Sequence, residues 1–233
     1  MTPSNESYPK LLSLAVHELR TPASVVGGYL RMLQRDTETP LSARQRKMID
    51  EAEKSCARMV ELVAQLSDVS KLDAGLVTMA RHPLDLFTLV ADVARGVHES
   101  EDRNVRLDVR GDPASAPITG DDARLRASFH ALFRAILREQ PTAGTVVVDR
   151  RLEKRGAVTS AVIVVAEASL VQTAYTAPAG PFDEKRGGLG LALPIARRVI
   201  EAHGGRVTSA AGPGGADTSA GRGTAIITLP LRS

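Results

Sequence analysis

Aromatic side chains are scarce in this sequence of 233 residues, which contains no tryptophan, three tyrosines and four phenylalanines. A core built from it must therefore be aliphatic, and it offers few aromatic platforms on which nucleic-acid bases could stack. The formal net charge is only +3, and the basic residues are scattered along the chain instead of forming a stripe. We therefore expect no nucleic-acid partner.

Cysteine and long apolar runs are also lacking. The only cysteine, Cys56, excludes an internal disulfide and fits a reducing compartment. No apolar stretch approaches the roughly 20 residues that a membrane span needs, and the N-terminal MTPSNESYPK lacks the apolar core of a signal peptide. We expect a cytoplasmic chain without a membrane span, long enough for two ordinary domains.

Two runs with heptad spacing occupy the first third of the chain. The first covers residues 11 to about 36, and its apolar residues alternate three and four steps apart: Leu12, Ala15, Leu19, Val26, Tyr29 and Leu33, with Pro22 at a further seam position. The second follows a turn at 37–41 and repeats the alternation: Ile49, Ala52, Cys56, Met59, Val63 and Leu66. A hairpin with one apolar stripe per helix cannot cover that stripe alone, so we expect a homodimer that forms a four-helix bundle.

Beyond residues 71–75 the pattern changes to short strands separated by helices, which predicts an α+β domain. A helix starting near Asp121 carries one apolar face: Leu125, Phe129, Leu132, Phe133 and Ile136. We expect strands at 161–166 and 224–229, a helix over about 191–203, and a flexible loop at 211–223. Residues 1–78 would form the hairpin domain and residues 79–233 the α+β domain.

His17 is the first candidate for chemistry. It lies five steps past Leu12, which puts it on the solvent side of the first helix. An exposed imidazole can attack phosphorus, since an ordinary pKa of about 6.5 leaves one ring nitrogen free near pH 7. Glu18 could accept the proton of the other ring nitrogen, and Thr21, one turn on, could position a water or the phosphoryl group. Pro22 is expected to bend the helix there; from position alone, His17 could equally be an idle surface residue.

The six residues His17-Glu18-Leu19-Arg20-Thr21-Pro22 resemble the phosphoacceptor motif of sensor histidine kinases, a family of two-component signalling proteins. Residues 71–75 resemble the end of the second helix of that family's dimerization and phosphotransfer domain. Three later segments are similar to its second glycine box and C-terminal strands: 188–192, 201–205 and 221–224. The resemblance covers residues 11–231. It implies a helical-hairpin dimer, an α/β sandwich of the histidine-kinase ATPase type, and a response-regulator receiver domain as partner.

The resemblance breaks where the family holds Mg-ATP. Its N box normally presents two asparagines, one of which supplies an oxygen to Mg²⁺; in register those positions hold Ala131 and Ala135. A methyl group cannot replace an oxygen ligand. A slip of one residue would put His130 or Arg134 there, and neither restores an asparagine.

The adenine-binding box departs in the same way. Glu167 stands where the family has an aspartate, and the residues behind it lack the expected glycines, with β-branched Val171 resisting the positive φ that glycine adopts freely. Between Phe182 and Gly188 only five residues remain for the lid over the phosphates. We therefore predict a degenerate ATP-binding domain.

Three residues remain as a weak residual nucleotide site. Arg138 could supply the phosphate-facing cation, or it could simply complement the dipole at a helix C-terminus. Gly188 and Gly190 form a turn before a helix N-terminus, which could cradle a phosphate or could persist because packing needs a tight turn. No metal site is predicted, and we expect no cofactor unless the chain is an active kinase, which would need Mg-ATP.

Three functions stay open at this point. The chain could be a phosphotransfer protein or pseudokinase that exchanges phosphoryl groups between His17 and a receiver aspartate. It could instead be an ATP-dependent sensor kinase that phosphorylates His17, or a dimeric scaffold without chemistry. Retention of His17, Glu18 and Thr21 beside loss of the ATP ligands favours the first, because a scaffold needs no nucleophile.

Overall fold

The computed structural model describes residues 7–97, 104–111, 114–211 and 223–231, and it divides the chain into two compact units, residues 1–77 and 78–233. The loop predicted at 211–223 falls almost wholly on residues 212–222, outside the described residues. None of the described helices is long and apolar enough to cross a membrane. The fold class is confirmed: a helical hairpin is followed by a mixed α/β sheet unit.

The first unit consists of two long helices, α1 (Ser7–Arg35) and α2 (Ala43–Asp73). Ser42 caps α2 in a capping box, since its side chain accepts from the Gln45 backbone N–H at 3.3 Å and the Gln45 side chain accepts from the Ser42 N–H at 3.0 Å. The helix ends at Asp73, and its C-cap Ala74 is followed by Gly75 in the left-handed region, with φ at +66°. Both ends of α2 are therefore fixed by local backbone features.

The packing inside the hairpin uses a different face of α1 from the predicted stripe. Val16 and Gly27 are buried against α2, and the Cys56 thiol, 3 % exposed, donates to the Ala23 carbonyl at 3.0 Å. The predicted stripe is largely uncovered: Leu19, Val26, Tyr29 and Leu33 are each 46–64 % exposed. The expectation of a single apolar stripe on α1 is therefore wrong, because α1 carries two adjacent ones and the hairpin covers only the first.

The second unit has a six-stranded sheet in the order β2-β4-β5-β8-β7-β6 and a separate two-stranded ribbon β1-β3. Its strands are β1 (His82–Asp85), β2 (Val105–Gly111), β3 (Pro117–Gly120), β4 (Gly144–Arg155), β5 (Val158–Glu167), β6 (Ala179–Gly180), β7 (Arg206–Ala210) and β8 (Ala225–Pro230). Its helices are α3 (Leu86–Arg95), α4 (Asp122–Glu139), α5 (Val171–Thr176) and α6 (Ala192–Ala202). The β2-β4 pair is parallel and the other pairs are antiparallel.

The core of this unit lies between one face of the sheet and the helices. The apolar face predicted for α4 is confirmed, since its five members are all 0 % exposed: Leu125, Phe129, Leu132, Phe133 and Ile136. Asp121 caps α4 by accepting from the Arg124 backbone N–H at 3.0 Å, and it also accepts from the Ala80 N–H at 3.1 Å. Its own N–H donates to His203 Nε2 at 2.9 Å, which ties α4 to the end of α6.

Candidate phosphotransfer and nucleotide sites

The structure places His17 on the exposed side of α1. Val16, 5 % exposed, packs into the hairpin and so sets the rotation of the helix, which leaves His17, Glu18 and Thr21 facing solvent. The His17 ring makes no hydrogen bond to any residue in the described part of the chain. Both ring nitrogens are therefore available to a partner molecule.

The spacing around His17 puts three functional groups on one patch of helix. Thr21 lies one turn after His17 on the same face, and Glu18 is the next residue on the adjacent side. Helix α1 continues through Pro22 to Arg35, and proline cannot donate to the Glu18 carbonyl. The arrangement offers a nucleophile, a carboxylate that can take a proton, and a hydroxyl, with nothing from the hairpin covering them.

The N-box positions of α4 are buried by the chain itself. Ala131 is 8 % and Ala135 is 0 % exposed, whereas His130 is on the exposed side. The backbone of Gly187 packs on Ala135 so closely that a Cβ at Gly187 would lie 2.9 Å from the Ala135 Cα. With φ at +62°, Gly187 is also in a conformation that favours glycine. Positions 131 and 135 therefore carry no oxygen for a metal and do not fit a magnesium ion.

The segment before the glycine turn is held onto α4 by a buried arginine. The Arg186 guanidinium donates to the Thr224 carbonyl at 2.6 Å, lies 3.7 Å from Glu139 Oε1, and stacks 5.0 Å from the Phe182 ring centre. Glu139 Oε2 accepts from the Gly223 N–H at 2.8 Å. We call this set, Arg186, Glu139, Phe182 and the backbone of 223–224, the arginine latch. It fastens residues 182–186, where the sequence predicts a shortened lid, against the C-terminal end of α4.

The three residues predicted as a residual nucleotide site differ in whether the rest of the chain engages them. Arg138 donates to the Gly187 carbonyl at 3.1 Å, so its guanidinium is engaged with the turn. Gly188 and Gly190 are exposed, with φ of +59° and +63°, and a Cβ at Gly188 would meet nothing within 4 Å. Helix α6 follows without a side-chain cap. Of the first N–H groups of α6, that of Ala192 already donates to the Leu189 carbonyl at 3.3 Å, and Pro194 has none, so little of this helix start is open to an anion.

The segment after β5, where the resemblance implies an adenine-binding turn, also differs from the expected glycine turn. Glu167 ends β5 in an exposed position, and its carbonyl accepts from the Leu170 N–H at 2.8 Å. Helix α5 then begins at Val171. A helical turn therefore stands where the resemblance implies backbone close to the base. In the described residues no group of three or more His, Cys, Asp or Glu side chains could hold a metal ion.

Sequence reasoning missed the arginine latch. Arg186 lies between Lys185 and Gly187, and nothing in this local sequence indicates that it is buried. Its partners, Glu139 and the backbone of 223–224, are far away in sequence. Gly187 was equally hidden, since only the contact with Ala135 shows why glycine is needed there. The available signal was the short distance from Phe182 to Gly188, which forces the lid segment back onto α4.

An exposed histidine on a helical hairpin, followed by this sheet unit, is the arrangement of the histidine-kinase family. Residues 10–75 match the His Kinase A (phospho-acceptor) domain. The chain is 30% identical over 209 residues to the probable sensor histidine kinase TcrY of Mycobacterium tuberculosis, a match that covers 86% of this chain and 42% of TcrY. These matches support a relationship between this chain and the histidine kinases of two-component signalling.

Solved structures agree at the level of the fold. Full-length ShkA, crystallised in complex with AMPPNP, aligns with a TM-score of 0.67 at 21% identity and covers 96% of this chain and 45% of that one. The histidine kinase ThkA, in complex with the response regulator protein TrrA, aligns with a TM-score of 0.57 at 17% identity, over 96% of this chain and 61% of that one. The chain spans less than half the length of the curated relatives that it matches.

Proposed function

We propose that this chain is a homodimeric phosphotransfer protein, or pseudokinase, in which His17 exchanges a phosphoryl group with a receiver-domain aspartate and ATP binds weakly or not at all. The observation that carries the proposal is a contrast within one chain. His17 is exposed on α1 and makes no hydrogen bond in the described residues, whereas Ala131 and Ala135, at the expected N-box positions, are buried, and Gly187 packs on Ala135.

The proposed reaction needs no nucleotide. A ring nitrogen of His17 attacks the phosphorus of the receiver's aspartyl phosphate, so that an N–P bond forms as the O–P bond breaks and the aspartate leaves as a carboxylate. Glu18 can take the proton from the other ring nitrogen. In the reverse direction the receiver carboxylate attacks phosphohistidine, and Thr21 can orient a water that removes the group instead.

The dimer is part of the proposal because α1 leaves an apolar face uncovered. Leu19, Val26 and Leu33 recur at seven-residue spacing on that face and are 46–52 % exposed. A second copy of the hairpin that covers them makes a four-helix bundle. The receiver partner is supported by the fold shared with ThkA, which was crystallised with a response regulator.

Transfer to His17 is tested with receiver domains labelled by radioactive acetyl phosphate. We expect the label to move to this chain without nucleotide, and to be lost on acid but not on base treatment, as for phosphohistidine. His17→Gln should remove the transfer completely, because the amide is not a nucleophile. His82→Gln is the matched control, an exposed histidine in the sheet unit. Failure of every receiver to label the chain would contradict the proposal.

Nucleotide binding is tested by titration calorimetry of Mg-ATP into the dimer. The natural chain should give no saturable heat at millimolar nucleotide, because Ala135 supplies no metal ligand and the arginine latch holds the lid segment on α4. Ala135→Asn with Glu167→Asp tests whether the family residues alone recover binding. Clear binding by the natural chain, followed by label on His17 from ATP, would replace our proposal with an active kinase.

The active kinase is the second candidate, and one observation favours it. Gly188 and Gly190 leave an open turn before α6, which is the kind of backbone that binds phosphate. The fold is shared with ShkA, which was crystallised with AMPPNP. We rank it second because Arg138 and Gly187, beside this turn, bind each other.

A further inference from the structure

The sheet unit has a cavity of about 500 Å³ on the face of the sheet opposite α4. We call it the outer-face cavity. Strands β4, β5, β8 and β7 contribute to it, and α5 forms one wall. Its volume lies within the range of about 300–1,000 Å³ that small-molecule sites occupy. The residues used below line it or hold its wall: Arg155, Ser160, Val162, Tyr175, Arg206 and Thr228.

The wall of this cavity is fixed in place by a polar network. The Tyr175 hydroxyl of α5 donates to Asp149 Oδ1 at 2.7 Å, and Arg151 stacks on the Tyr175 ring at 3.8 Å while its Nε lies 3.1 Å from the same carboxylate. Burial and the Asp149 carboxylate raise the pKa of Tyr175, so the phenol stays protonated and keeps donating. A preformed wall reduces the entropy lost when a ligand binds.

The floor of the cavity changes from apolar to charged across the strands. Val162 is 4 % exposed, and the neighbouring Val158 is 53 % exposed. The strand register aligns Val162 with Thr228, and Thr228 with Arg206, in one row across β5, β8 and β7. With strands about 4.8 Å apart, this row runs for about 10 Å from an apolar side chain to a cation.

The two cations of the rim differ in their partners. Arg155 lies 3.4 Å from Glu153 and is neutralised by it. Arg206 is exposed and forms no ion pair with any residue that the structure describes. A guanidinium of this kind binds a carboxylate in a bidentate manner. The cavity therefore combines a cation that can pair with an anion and an apolar surface around Val162.

We propose that the outer-face cavity binds a small amphipathic carboxylate, with the acid group on Arg206 and the apolar body over Thr228 and Val162. Such a site is lined by residues of the sheet unit alone, on the sheet face opposite α4, so it does not depend on the proposed phosphotransfer. Helix α5, which stands where the resemblance implies the adenine turn, supplies its wall.

The test uses 2-naphthoate as the probe, titrated into the full chain and followed by its fluorescence, with backbone amide NMR to locate it. We expect saturable binding at one site per chain, with shifts at Val162, Thr208 and Thr228. Arg206→Gln should weaken binding at least tenfold, and Ser160→Phe should abolish it by filling the cavity. Lys154→Gln is the matched control, an exposed cation on β4 that alternation turns to the other face.

Each other outcome overturns the proposal. Non-saturating binding at millimolar probe, or binding that both variants leave unchanged, means that the cavity takes no such ligand. If Ser160→Phe abolishes binding and Arg206→Gln leaves it unchanged, Arg206 does not bind the acid group. If Arg206→Gln weakens binding and Ser160→Phe leaves it unchanged, the probe binds outside the cavity. His17→Gln should bind as the natural chain does, which separates this test from that of phosphotransfer. Arg206→Gln, an exposed substitution, keeps the test valid if Ser160→Phe does not fold.

Discussion

The two units of this protein use their apolar residues in opposite ways. The sheet unit covers its own, with the α4 face wholly buried against the sheet, whereas the hairpin leaves large apolar side chains such as Tyr29 and Met32 more than 60 % exposed. Their candidate sites differ in exposure as well, since His17 faces solvent and Ala135 is covered by Gly187. The hairpin therefore leaves apolar surface uncovered, as our proposed dimer requires, whereas the sheet unit buries its own.

The strongest test of this comparison is a core truncation in the sheet unit. Phe129→Ala should lower the free energy of unfolding by about 3–5 kcal/mol, because the ring is 0 % exposed and its loss leaves a cavity. The loss should be the same at every protein concentration, measured by urea unfolding of that unit. Ala127→Ser, an exposed position on the same helix, should change it by less than about 0.5 kcal/mol. If the loss in the free energy of unfolding depends on protein concentration, the sheet unit does not bury its apolar residues by itself.

The hairpin should respond in the association step instead. Val26→Asp with Tyr29→Asp should raise the dimer dissociation constant roughly a hundredfold or more, because the interface would lose two apolar side chains and would have to bury two new charges. Sedimentation equilibrium measures this change. Ser24→Asp is the control, since residue 24 lies seven positions after His17 on the exposed side of α1. If the double variant stays dimeric, the exposed stripe is not the dimer interface.

A smaller effect concerns pH at the start of α4. Burial would raise the pKa of Asp121, but the N–H donors of Arg124 and Ala80 outweigh it and hold the pKa below its ordinary 3.8. A carboxylate whose pKa is lower in the folded than in the unfolded state stabilises the fold above its unfolded-state pKa. This stabilisation is lost as the pH falls through the folded-state pKa. Asp121→Ala should thus cost about 1–2 kcal/mol near pH 7 and less below pH 3.8.

Urea unfolding across that pH range measures the Asp121 effect. Asp122→Asn, the exposed next residue, whose carboxylate pairs with Arg126, is the control and should cost only a few tenths of a kcal/mol. A penalty for Asp121→Ala that is constant from pH 7 to pH 3 would show that the charge contributes nothing beyond capping geometry.

Local patterns predicted much of the fold. The heptads gave both hairpin helices, the helix expected to start near Asp121 is α4, and the apolar run at 161–166 lies within β5. These features depend on neighbouring residues, so the chain reveals them directly. The ribbon β1-β3 and helix α5 were not predicted, because they form through contacts with residues distant in sequence.

The candidate sites show the same division. The phosphoacceptor run was readable because its six residues are consecutive on one helix, and its roles for His17, Glu18 and Thr21 stay predictions. The alanines at positions 131 and 135, where the resemblance implies asparagines, were equally readable. What occupies their place was not, since Gly187 and the arginine latch reach α4 only in the folded unit.

The sequence alone therefore determined the helical hairpin, the presence of His17 on the solvent side of its first helix, and the alanines at positions 131 and 135. Tertiary structure decided which side of α1 faces α2, how the lid segment closes on α4, and where the outer-face cavity lies. The physical reason is range. Periodicity and capping act within a few residues, whereas the rotation of a helix and the burial of an arginine depend on partners that only folding brings into contact.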